Sequence, residues 1–144
     1  MVVLYAGKPK RSPSQAWNRI GISHNENCCL SEAGTEIVCR TAYGFNALTN
    51  DSGCNNNTAF GVSALANNTT GSDNTANGVA ALYSNTTGSD NTANGILALL
   101  SNTTGIFNTA TGYSALSSNT TGYVNTANGA SALGCRNTTN LNVF

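Results

Sequence analysis

Asn74-Thr75-Ala76-Asn77-Gly78-Val79-Ala80-Ala81-Leu82-Tyr83-Ser84-Asn85-Thr86-Thr87-Gly88-Ser89-Asp90 is one period of this chain. The same motif is written six times across residues 40–141, each copy seventeen positions after the last. Its second position is Thr in every copy: Thr41, Thr58, Thr75, Thr92, Thr109 and Thr126. Three residues later the step gives Gly44, Gly61, Gly78, Gly95, Gly112 and Gly129, and an Ala-Leu pair follows in the same register. Self-similarity at a fixed short period identifies a repeat architecture, which must be settled before any single element is assigned.

The length of the period chooses the secondary structure. Helical repeats run to about 30 residues or more, because each unit must hold a pair of helices. A unit this short suits one coil of a β-solenoid or β-roll, with two or three short strands and tight turns. Asn, Thr and Gly, which dominate each unit, are poor helix formers and good turn formers. Asn-Thr-Thr-Gly, as in residues 102–105, reads as a turn whose Gly takes a positive φ. The Gly of Thr-Ala-x-Gly sits inside an apolar run, which predicts a sharp corner or the close approach of another backbone.

Stacked coils put each residue over its own equivalent, about 4.8 Å away. Leu48, Leu65, Leu82, Leu99, Leu116 and Leu133 then form a core ladder beside the stacked alanines. Asn57, Asn74, Asn91, Asn108 and Asn125 line up as an amide ladder, each donating to the next, and Asn68, Asn85, Asn102 and Asn119 as a second. The expected fold is all-β: a β-solenoid or β-roll of six coils, one per repeat, behind an N-terminal cap segment.

The rest of the chain divides around the array into an extended N-terminal arm at residues 1–16, a cap region at 17–39, the repeats at 40–141 and a tail at 142–144. The arm is apolar for only a few residues, and its Lys8, Lys10 and Arg11 follow that stretch rather than precede it. That order does not make a recognisable signal peptide, and the stretch is too short to insert in a membrane. The cap holds Trp17, Ile20, Ile22 and Leu30, large apolar side chains suited to cover an open solenoid end. Between Thr41 and Cys135 the only formal charges are Asp51, Asp73 and Asp90, so the array does not neutralise phosphates and no nucleic acid is expected as a partner. The five cysteines are an odd number, which argues against complete internal pairing. Cys39 and Cys54 lie close to one coil apart and are the candidate disulfide. His24, Cys28, Cys39 and Cys54 match no compact zinc-finger spacing. Asn68, Asn85, Asn102 and Asn119 each begin an Asn-Thr-Thr sequon and are candidate N-glycan acceptors if the chain passes a secretory route. Good turn chemistry explains the same residues without any glycan.

Nothing in the array suggests an enzyme. There is one His, no Gly-x-Ser-x-Gly and no placed acid–base pair, and no cofactor is implied. The unit Asn-Thr-Ala-x-Gly-x-x-Ala-Leu-x-x-Asn-Thr-Thr-Gly resembles repeats of phage and viral fibre proteins. Its Thr-Ala-x-Gly-x-x-Ala core resembles the head repeats of trimeric autotransporter adhesins, β-rolls in which three chains wind about one axis. The resemblance implies a structural, self-assembling fibre or filament subunit at a virion or extracellular surface, with a surface glycan or receptor as an adhesive target. The different-class alternative is an ice-binding or glycan-binding β-solenoid, for which Thr69, Thr86, Thr103 and Thr120 are the candidate array, provided they lie on a flat face.

So narrow a coil encloses little apolar volume. The residues after the corner glycines, Val62, Val79, Ile96 and Tyr113, are therefore expected to face another chain, as in a homotrimer. The contrasting ends suggest a head-to-tail filament, in which Val143 and Phe144 of one copy meet Trp17 and Ile20 of the next. For the core the expectation is direct. Leu82→Asp or Leu99→Asp puts an unpaired charge into a thin apolar column, which costs several kcal/mol. Each variant is expected to lose the β-type far-UV circular dichroism of the parent.

Overall fold

The computed structural model describes residues 27–30, 37–52 and 55–135. Among them are seven strands and no helix. Strand β1 (Asn27–Leu30) pairs antiparallel with β2 (Ile37–Tyr43), with the Cα of Cys28 opposite that of Cys39. The second half of β2 opens a parallel stack that continues through β3 (Thr58–Phe60), β4 (Thr75–Asn77), β5 (Thr92–Asn94), β6 (Thr109–Thr111) and β7 (Thr126–Asn128). Register is fixed at one repeat throughout, Thr41 on Thr58, Ala59 on Ala76, Asn77 on Asn94. The chain is a β-solenoid of roughly five turns.

Each coil has one strand of three residues, not two or three strands. Thr and the residue two places on point outward while the intervening Ala, from Ala59 to Ala110, is completely buried. β-branched Thr suits such a strand. Beyond it the backbone leaves extended geometry. Three non-glycine positions per coil lie in the left-handed region, as at Ala80 (φ 54°), Leu82 (φ 52°) and Asp90 (φ 58°). These corners bring the Leu column inward, and Leu48 to Leu116 are buried to 1% exposure or less, with Leu133 packed partly buried at the last coil. The core is therefore one file of leucines flanked by two files of alanines. Backbone bonds between coils continue through the turns, for example Leu65 N–H to Ala81 O at 3.0 Å and Asn67 N–H to Tyr83 O at 3.2 Å.

The glycine of Thr-Ala-x-Gly is both a corner and a close approach, as expected, whereas the glycine of Asn-Thr-Thr-Gly departs from the expected positive φ. Gly71, Gly88 and Gly105 of Asn-Thr-Thr-Gly do not take a left-handed φ. They are glycine because a Cβ at Gly88 would meet Gly105 O and the Asn85 amide oxygen, each at 2.4 Å. The positive φ belongs to the corner after the strand, 138° at Gly78, where a Cβ would also meet the backbone oxygen of Gly95 at 2.5 Å. Gly129 has nearly the same φ, 130°, with nothing among the described residues within 4 Å of a Cβ. The pair separates strain from collision. Gly129→Ala is expected to cost about 1 kcal/mol for backbone strain alone. Gly78→Ala should cost about 3 kcal/mol or more, because the coils must also move apart. Urea denaturation of the two variants checks the difference.

Candidate functional surfaces

In a solenoid every repeated polar column is either consumed by the stack or free to meet something else. The first amide column is consumed. Asn74 to Asn125 are fully buried, and Nδ2 of Asn91, Asn108 and Asn125 donates to Oδ1 of the Asn one coil earlier at 3.0–3.1 Å. The same oxygens accept the backbone N–H of the following coil, as in Asn91 N–H to Asn74 Oδ1 at 3.0 Å. The second column behaves alike: Asn85 donates to Asn68 and Asn102 to Asn85, at 2.8 and 2.9 Å. Donation thus runs toward the preceding coil in both ladders, the reverse of the direction expected from the sequence.

At the N-terminal end both columns change residue. Arg40 stands where the first ladder would continue and Asp51 where the second would. Asn68 Nδ2 donates to Asp51 Oδ1 at 3.1 Å, Arg40 Nη1 lies 3.4 Å from Asp51 Oδ2, and Arg40 also donates to the Asp51 carbonyl. A carboxylate only accepts, so it ends a file of amides whose donors all point its way. The guanidinium balances its charge at a site where the carboxylate is shielded from water. Neither residue stands out from sequence, since each is one charged side chain in a broken copy of the motif.

The sequons belong to the consumed set. Asn68, Asn85, Asn102 and Asn119 are fully buried, with their amide nitrogens donating inside the stack, so in the folded array these four do not accept glycans. The Thr69 column is consumed too. Thr69, Thr86 and Thr103 donate their hydroxyls to the carbonyls of Thr86, Thr103 and Thr120 at 2.9–3.0 Å. They also lie in bends rather than on a strand, which removes them as a flat ice-binding array.

The outward columns remain. Phe45, Val62, Val79, Ile96 and Tyr113, one per coil, are 45–69% exposed and make an apolar stripe along the solenoid. On the strands the Thr column stands beside Tyr43, Phe60, Asn77, Asn94, Thr111 and Asn128, all exposed. A smaller apolar group, Ile106, Phe107, Tyr123 and Val124, covers the turn before the strand in the last two coils. Cys135 is an exposed free thiol. Cys54, Trp17, Ile20, Val143 and Phe144 lie outside the described residues, and with them the candidate Cys39–Cys54 disulfide and the head-to-tail contact. Among the described residues no three His, Cys, Asp or Glu side chains gather where they would hold a metal ion, and no helix is long and apolar enough to cross a membrane. No known protein family, characterised protein or solved structure matches the chain.

The buried amides set a test. Asn91→Ala removes the acceptor for both the backbone and side-chain N–H of Asn108, and one donor to Gly105 O. Orphaned buried donors are expected to lower stability by about 2–4 kcal/mol, read as a reduced urea midpoint. Asn94→Ala, on the solvent side of the same coil, is expected to change stability by less than about 0.5 kcal/mol.

Proposed function

We propose that this chain is a structural, self-assembling subunit of a fibre or filament on a virion or cell surface, with an adhesive role. The observation that carries the reading is the stripe Phe45–Val62–Val79–Ile96–Tyr113 on a coil stack with few formal charges. Soluble monomers rarely leave a continuous apolar surface open to water. The stripe repeats at the coil spacing of about 4.8 Å. A partner engages every one of its side chains in phase only if it carries the same spacing, and a second copy of this chain does. Three copies about one axis are the arrangement implied by the resemblance to adhesin heads and fibre proteins. The surface location rests on that resemblance as well.

A solenoid suits such a role. Its contacts are between nearest neighbours, so stiffness and stability extend evenly along the axis. In light scattering the protein is expected to run as a trimer or larger at micromolar concentration. Val79→Asp/Ile96→Asp should reduce it to monomers while the β-type circular dichroism stays. A wild-type monomer at that concentration overturns the reading.

A further inference from the structure

The outward face of the strands carries polar groups that the fold does not use. The hydroxyls of Thr75 and Thr92 and the amides of Asn77 and Asn94 have no hydrogen-bond partner among the described residues, whereas the buried Asn columns and the Thr69 column in the turn are engaged coil after coil. Strand propensity accounts for the threonines, since Thr is both β-branched and tolerant of water. It does not account for the asparagines, which are depleted in strands. Yet Asn fills the outward position in three of the six coils and Thr111 in a fourth. In the first two coils the same column changes to Tyr43 and Phe60, each 43% exposed, with ring centroids 6.1 Å apart and planes tilted by 34°. One face thus presents two partly exposed aromatic rings in contact with each other, followed in line by hydroxyl–amide pairs.

We infer that this face, from Tyr43 and Phe60 along Thr75/Asn77 and Thr92/Asn94, binds an extended neutral glycan chain. The chemistry on the page selects that ligand. A pyranose ring has an apolar face of C–H groups that stacks on an aromatic side chain, and a rim of hydroxyls that both donate and accept. An Asn amide offers a donor pair and an acceptor, and a Thr hydroxyl does both in one atom. The face itself carries no formal charge, so it gives an anionic polymer nothing to neutralise. Thr and Asn two residues apart on a strand stand about 7 Å from each other, and successive pairs repeat about every 4.8 Å along the axis. A chain of sugar units lying along the stack meets one pair after another, and each adds a weak contact to the last. The parallel in-register sheet holds the array in place before the ligand arrives, which lowers the ordering cost of binding.

The inference supplies a ligand class for the adhesive part of the proposed function and rests on it. Self-association is measured separately by light scattering, so the two fail independently. The test is affinity electrophoresis of the full chain in native gels containing hydroxyethyl cellulose, xyloglucan or dextran, with dextran sulfate as the anionic control. At least one neutral polymer is expected to retard the protein. Asn77→Ala/Asn94→Ala and, separately, Phe60→Leu should weaken that retardation tenfold or more, at unchanged circular dichroism and unchanged oligomeric mass. Asn94→Thr repeats the residue already present at Thr111, and should retain most of the binding. The inference is overturned if no neutral polymer retards the protein, if only dextran sulfate does, or if the Asn and Phe60 variants bind as well as the parent. A change of oligomeric mass in Asn77→Ala/Asn94→Ala would assign the face to a second copy. Thermal hysteresis without glycan retardation would assign it to ice.

Discussion

A buried side-chain amide has to be completed, and in this molecule the coil next door completes it. Asn91 reaches back to Asn74, receives the backbone and side chain of Asn108, and bonds Gly105 on its own coil's far side. Bonds within the coil, such as Asn85 to Gly88 O, satisfy only part of each interior. This ties the geometry to one choice: equivalents must lie directly over one another, or both files lose their coil-to-coil bonds at once. The left-handed corners follow from the same demand. Leucine does not favour φ near 50°, and the chain holds it there in coil after coil because that turn puts the side chain over its copy and aims the next Asn inward. The glycines are the closest points of the stack, where the backbones pass with no room for a Cβ.

The interior therefore leaves few positions for anything but folding. Asn, Ala, Leu and both glycine columns are committed, and variation falls mostly on the outward ones. There it is far from random. The column after the corner glycine is apolar from Phe45 to Tyr113, and the column before it passes from rings to amides. The position ahead of the strand runs Asn56, Asp73, Asp90, then Phe107 and Val124. All five have φ between 49° and 58°. Asn and Asp accept that conformation readily and a β-branched residue does not, so the last two coils hold more backbone strain than the middle ones.

The architecture was legible because in-register stacking turns structural constraint into literal repetition. Ala59, Ala76 and Ala93 recur since each must fit against the others, and the period alone gave the step of the stack. The Leu file and both amide files were visible for the same reason. Other features left no such trace. A left-handed Leu82 looks like any leucine, so the corners, and with them the single strand per coil, could not be read from residue type. The Asn-Thr-Thr-Gly turn misled in two ways: its glycine answers to crowding, not to φ, and its sequon asparagine is interior. The strand face left no distinct trace because its threonines repeat as faithfully as those of the Asn-Thr-Thr-Gly turn. Only the side-chain hydrogen bonds separate Thr75, whose hydroxyl has no partner among the described residues, from Thr86, which donates to Thr103.

Arg40 and Asp51 end the amide files with charge, and this makes the array countable. Beyond that boundary the interior Asn, Ala and Leu columns present the same residues from coil to coil. Insertion or loss of one whole seventeen-residue repeat would create or destroy no type of interior contact. Each such event would lengthen or shorten the rod by about 4.8 Å. The charged boundary cannot be copied so freely, since a second Arg–Asp pair in mid-stack would interrupt both files. Length in this protein is thus an inherited integer, measured from a fixed origin.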